Sequence, residues 1–486
     1  MKAVLTRCID LVRSVFRSET WRGGMAVTHY DLAVPADARS TLAAGWLMLG
    51  LASLIGAGIF SILLVLARTP YLQHLFPSPE FFRVALILHV DLSVLVWFLA
   101  LGGVLWSVNS TPRMIGTGWA ALGLAAAGTA LMGIAPFASF GVPIMSNYVP
   151  VLDEPWFLSG LAVFGAGFLV LALRSLAAVP AVGVVLDGAA ALRFGLNAAA
   201  VAAAMSLLAF AWSWSTVPAG LPAKGYYDIL FWGAGHVVQF TYTLLMLVAW
   251  LWLASAGGIR LPISPRIAVL LFGVGLAAVF VTPVIYLAWN VTAVEHRKLF
   301  TWLMQWSGGL AIVPFALGIL WGAARGGGHE AAARPLRAAL FTSLVLFGAG
   351  GAIGFVIHGS NVTIPAHYHG CIVSVTLALM GLVYLLLPRL GYREPDRCWA
   401  TWQPYLYGFG QLLHVSGLLW SGGYGVQRKV AGGEQVLRSA GEIACMGVMG
   451  LGGLLAVAGG LLFVALVLRA MWGGRGLSTR IADDSR

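Results

Sequence analysis

Late in a nearly unbroken apolar stretch the chain reads Ala366-His367-Tyr368-His369-Gly370 and then returns to hydrocarbon side chains. Two residues apart on a helix, side chains diverge by about 200°, so each imidazole could hold its own metal centre. Ionisable groups at membrane depth are costly and rare, and by default they mark function. His89, His236 and His296 stand at the mouths of other apolar segments. Neutral imidazole is the usual protein ligand of haem iron, copper and non-haem iron. Five such rings on four spans, at one depth, point to redox metal chemistry. Their common depth rests on the elements that carry them.

Those elements are spanning helices. Hydrophobic residues make up 59% of the 486 and charged residues 10%, with a mean hydropathy of +0.87. No soluble domain of this length has that composition. One span needs roughly 20 apolar residues, and short polar breaks divide the chain into about a dozen segments. They fall at 41–67, 83–106, 117–138, 155–174, 194–214, 226–255, 264–290, 300–322, 338–357, 365–388, 403–422 and 440–470. The expectation is an all-α polytopic membrane protein, with a twelve-helix domain over 41–472 between tails at 1–40 and 473–486. The 61 glycines suit close helix packing in lipid. The four cysteines have no CxxC spacing, which argues against a disulfide framework or a thiolate metal site. The net charge of +11 lies mainly in short loops, which points to topology and away from nucleic acid. Residues 1–40 lack the apolar core and cleavage site of a signal peptide.

Lys2, Arg7, Arg13, Arg17 and Arg22 precede the first span, which predicts a cytoplasmic N-terminus. The even-numbered loops then face inward and carry most arginines, while Asp153, Glu154 and Asp228 fall outside. Twelve spans with both ends cytoplasmic satisfy the pattern. Its main exception is the last outer loop, with Arg428, Lys429 and Arg438. This topology brings all five histidines toward the outer face, with His236 roughly 15 Å of helix rise from the outer end of its span. His358 lies near them, a candidate partner for an anionic group or a spare ligand. His414 lies deeper and reads as packing or as support for a ligand. His29, His74 and His329 read as solvated.

At these residues the chain resembles the haem-copper oxidase superfamily, the catalytic subunit of cytochrome oxidases and of the related membrane nitric oxide reductases. The resemblance covers essentially all twelve spans. It implies that His367 ligates a high-spin haem where chemistry occurs, and that His369 ligates the low-spin haem delivering electrons. The second span of the family supplies the other low-spin ligand, which matches His89 in LILHVDLSVLVWF. The second metal of the family takes one histidine from the sixth span and usually a His-His pair before the eighth. Here WGAGHVVQF gives His236, and VEHRKLFTW gives Glu295-His296. Basic residues in the last outer loop of the family neutralise haem propionates, and GYGVQRKV supplies Arg428 and Lys429.

Two departures choose between family activities. Oxygen reductases place a tyrosine four residues after the sixth-span histidine, where this chain has Phe240. Tyr242 points elsewhere, and no spacing recommends Tyr286. Nitric oxide reductases place a carboxylate beside a non-haem iron, a role open to Glu295 as ligand or proton donor. An anionic oxygen suits iron better than copper, without excluding copper. Gln239 could hydrogen-bond a bound intermediate or be a polar filler. The inner halves of the second, sixth and eighth spans hold no Asp, Glu or Lys, and Asp91 lies near His89 on the outer side, so protons are expected from outside.

The expectation is therefore a nitric oxide reductase of a bacterial inner (plasma) membrane. It would bind a low-spin haem, a high-spin haem and a non-haem iron, with copper as the alternative. No CxxCH haem attachment or cupredoxin-like motif occurs. Electrons would come from a donor subunit, or from a cytochrome c-type or cupredoxin partner, on the outer side. Terminal oxygen reduction is the alternative, and a non-catalytic haem protein or transporter the third reading.

Overall fold

The computed structural model describes residues 28–72, 79–139, 141–183, 185–326 and 330–472. The basic residues of 1–27, Arg475, Arg480, His74 and His329 lie outside the described residues. Within them the chain is an array of long helices, apart from one short hairpin. The helices are α1 (Ala38–Arg68), α2 (Pro79–Val108), α3 (Ile115–Ala138), α4 (Pro155–Ala177), α5 (Gly188–Thr216), α6 (Ala223–Ala256) and α7 (Pro265–Ala288). Then follow α8 (Val294–Ala324), α9 (Arg334–Gly354), α10 (Thr363–Arg389), α11 (Arg397–Gly423) and α12 (Ala440–Trp472). Strands β1 (Val142–Ile144) and β2 (Val151–Asp153) pair antiparallel between α3 and α4, marking one end of the bundle.

Among the described residues, eleven helices are long and apolar enough to cross a membrane. The segment predicted at 403–422 also forms a 27-residue helix, α11, but it is less apolar. Gln403, Tyr407, Gln411 and His414 follow one another at three- and four-residue intervals, so one face of α11 is polar. α11 packs against α9, α10 and α12, and α12 returns to α1. At the centre stand α6 and α10, each with 83% of its most apolar stretch buried inside the protein. Elsewhere large apolar residues such as Leu169, Val284 and Leu317 are exposed, as a lipid-facing surface requires.

Small residues set the closest approaches. A Cβ on Gly370 of α10 would stand 2.5 Å from the Gly350 Cα of α9, and one on Gly350 would stand 2.6 Å from the Cys371 nitrogen. Backbone that close cannot yield, so only glycine fits.

Several boundaries differ from the sequence expectation. α5 begins at Gly188 because the Asp187 carboxylate caps it, accepting from Ala190 N at 2.7 Å. This draws Arg193 from the predicted loop into the helix. α8 begins at Val294, so Glu295 and His296 lie in its first turn and not before it. Arg174 is fully buried in the last turn of α4, donating to Met114 O at 3.1 Å. A cation at a helix C-terminus is favourably placed. Two helices relax into π-helical turns, α2 over Asp91–Val96 and α8 over Leu303–Ser307.

Candidate functional site

Four histidines share one arrangement. The Nδ1 atom lies 3.0 Å from Ala57 O in His89, 2.8 Å from Trp232 O in His236, 2.8 Å from Gly350 O in His367 and 3.0 Å from Met449 O in His414. A carbonyl oxygen can only accept. Each Nδ1 therefore carries the proton and donates, which leaves the Nε2 lone pair unprotonated. A backbone carbonyl fixing tautomer and ring orientation in this way is the usual support of a metal-ligating imidazole.

His89 from α2, His369 from α10 and His414 from α11 line one cavity of about 190 Å³. The His369 and His414 rings meet edge to face, with centroids 5.0 Å apart. Its walls are mostly aliphatic, and Arg68, Arg428 and Lys429 stand among its lining residues. Arg68 donates to Gln435 Oε1 and to Gln427 O, both at 3.2 Å, and Arg428 donates to Ser360 Oγ at 3.3 Å. Lys429 donates to Met145 O at 2.8 Å. Among the described residues none of the three pairs with a carboxylate. Burial, reinforced by neighbouring Arg428 and Lys224 against the pull of Asp228, holds the Lys429 ammonium down at about 8. Three cations without an ion-pair partner among the described residues, at an apolar cavity, fit a ligand that is hydrophobic with an anionic edge.

A second cluster forms where α6, α7 and α8 meet. His236 and His296 both pack on Phe300, with ring centroids at 6.1 and 5.0 Å, and Tyr286 lies edge-on to His296 at 4.9 Å. His296 is wholly buried, and neither ring nitrogen has a protein partner. An orphaned buried imidazole calls for an explanation, of which an absent ligand is one. The other face of His236 meets Tyr148, from the loop between β1 and β2. The phenol oxygen is 2.8 Å from His236 Nε2 and the rings are 4.7 Å apart. Burial pushes the Tyr148 phenol up, so it stays protonated and donates to Nε2. Gln239 stands within hydrogen-bonding reach of the same phenol.

The residues singled out from sequence thus fall into groups. His89 and His369 share the cavity with Arg428 and Lys429. His236 and His296 share the aromatic cluster, with Gln239 at its edge. His367 stands apart, its ring against α9 at Gly350 and Gly354. Glu295 is exposed, as is His358. No group of three or more His, Cys, Asp or Glu poised around a metal occurs among the described residues. The cavity's aliphatic walls, imidazoles and cations would suit a haem, and His367, with Nδ1 held by Gly350 O, would offer its Nε2 to a haem iron. His236 and His296 would offer two imidazoles to a second metal, and Glu295, being exposed, stands outside their buried cluster.

Sequence reasoning missed Arg68, the place of His414 in the cavity, and Tyr148. Arg68 ends the first span and reads as an ordinary flanking charge. Only the polar stripe on α11 signalled His414. Nothing local signalled Tyr148, because its partner is 88 residues away.

No family model matches the chain. It is 27% identical, over an alignment of 511 residues covering 90% of this chain, to a protein of Rickettsia prowazekii (strain Madrid E), of which 97% is covered. It is also 27% identical over 359 residues to a protein of Aquifex aeolicus (strain VF5), covering 72% of this chain and 85% of that one. Both relatives are described as uncharacterized.

Proposed function

We propose that this chain is the catalytic subunit of a membrane nitric oxide reductase, which joins two NO molecules into N2O and water with two electrons and two protons. The observation that supports this most is the cavity where imidazoles from separate helices meet beside three cations, none of which forms an ion pair with a carboxylate among the described residues. His89 and His369 would hold a low-spin haem there, with Arg68, Arg428 and Lys429 on its anionic edge. His367 would hold a high-spin haem, and His236 and His296 a second metal, iron or alternatively copper. Bound, these groups supply electron transfer and Lewis acidity.

The chain's own residues do the rest. Carbonyls of Ala57, Trp232 and Gly350 hold the ligand tautomers. Phe300, Trp232 and Tyr286 wall the second cluster with aromatic rings, excluding bulk water while admitting an apolar gas. Gln239 can offer its amide N–H to a polar atom bound beside His236. Beyond His236 in α6 and His369 in α10 no Asp, Glu or Lys occurs. Asp153, Glu154 and Asp228 belong to the hairpin end, so protons are read as entering there. Electrons would come from a separate donor subunit, or from a cytochrome c-type or cupredoxin partner at that end.

One observation favours oxygen reduction as a second reading: a phenol does stand beside His236, although it comes from a loop and not from α6. Turnover of NO and of O2 by the purified enzyme separates the two. Rapid NO consumption with little oxygen uptake is expected, and the opposite result rejects the first reading.

A further inference from the structure

Tyr148 occupies an unusual position for a loop tyrosine. Its φ of 66° lies in the left-handed region, which bulky residues adopt only under strain. The surrounding loop enforces it. Asn147 donates from N and Nδ2 to the Asp228 carboxylate of α6, at 2.7 and 3.0 Å. Ser146 Oγ donates to Val149 O at 2.7 Å, and Lys429 ties Met145 O from the other side. The ring is seated on Gly235, where any Cβ would collide with it. The chain has thus spent backbone strain and a glycine on carrying one phenol oxygen down to one imidazole.

We propose that Tyr148 is the oxygen ligand of the second metal, completing a set with His236 and His296 and taking the place expected of Glu295. This rests on the reading of the preceding section. The Nδ1 of His236 is committed to Trp232 O, so its Nε2 lone pair faces the phenol oxygen at 2.8 Å. Two ligands about 2.1 Å from a common cation and at right angles to each other stand about 3 Å apart. The separation already matches such a pair, and the phenol oxygen has only to swing off the Nε2 lone-pair axis for a metal to take its place there. His296, buried with both nitrogens unpartnered, independently points to a missing ligand at the same cluster. Binding exchanges the phenolic proton for the cation: the O–H bond breaks, the proton leaves to water at the hairpin end, a metal–oxygen bond forms, and no electron moves. A hard anionic oxygen beside two imidazoles favours iron over copper.

The test is resonance Raman spectroscopy of the oxidised holoenzyme, with metal content measured on the same samples. Tyrosinate ring modes enhanced through a phenolate-to-metal charge-transfer band are expected in the wild type. Tyr148→Phe should lose those modes and at least tenfold of the second-metal occupancy while keeping the low-spin haem spectrum, which reports that the bundle has folded. Glu295→Gln should keep both modes and metal. Wild-type enzyme that holds the second metal without tyrosinate modes overturns this assignment and leaves the preceding reading standing. So does the reverse pattern, with metal kept in Tyr148→Phe and lost in Glu295→Gln. Wild-type enzyme without any second metal overturns both.

Discussion

At the scale of single residues, the account turns on which nitrogen of each imidazole is free. His89 is fixed as the Nδ1–H tautomer and faces the cavity it shares with His369. His369→Ala should abolish the six-coordinate low-spin spectrum while the protein remains inserted; retention of that spectrum contradicts the assignment. Lys429 adds a pH dependence. Its folded value of about 8 lies below the ordinary 10.5, so the unfolded chain binds the proton more tightly. This unfavourable contribution is fully present below pH 8 and relieved as pH rises toward 10.5. For an anionic ligand the sign reverses, since the cavity loses one cation as pH passes about 8. One partly exposed pair contributes roughly 1 kcal/mol, or about fivefold in retention. Haem loss should therefore be about that much faster at pH 9.5 than at pH 7, and Lys429→Met should flatten the difference. These histidines were legible because an imidazole in hydrocarbon stands out. Tyr148 was not, because an aromatic residue in a loop is ordinary until its partner is known.

Elements position these groups through close contacts that the sequence shows only as composition. α9 and α10 touch at Gly350 and Gly370, and that contact lets His367 reach Gly350 O. Gly370→Val should force the backbones apart, destabilise the protein by about 1–3 kcal/mol and disturb the spectrum ascribed to the high-spin haem before that of the low-spin haem. Thermal unfolding in detergent, followed at both bands, measures this. Gly235→Val should displace Tyr148 without touching His236, so its effect on the second metal should match Tyr148→Phe. The helices themselves were legible from hydropathy, usually to within a few residues. The π-helical turns after His89 and after Trp302 were not, because they answer to packing and leave no mark in periodicity. α11 shows both sides: its length was legible, while its polar stripe became meaningful only once it lined the cavity.

Across the whole molecule, the histidine groups lie on helices that all open toward the hairpin end, within a bundle whose opposite half lacks acidic residues in α2, α6 and α10. That asymmetry predicts that turnover in oriented vesicles consumes protons from the hairpin side and does not acidify or alkalinise the other compartment. The central claim is simpler: this bundle holds two haems and a further metal. Iron, copper and extractable haem per chain in the purified wild-type protein test it directly. The account predicts three irons, two of them as haem, and no copper. Two irons with one copper would shift the assignment to oxygen reduction, and a protein containing no haem would contradict the account.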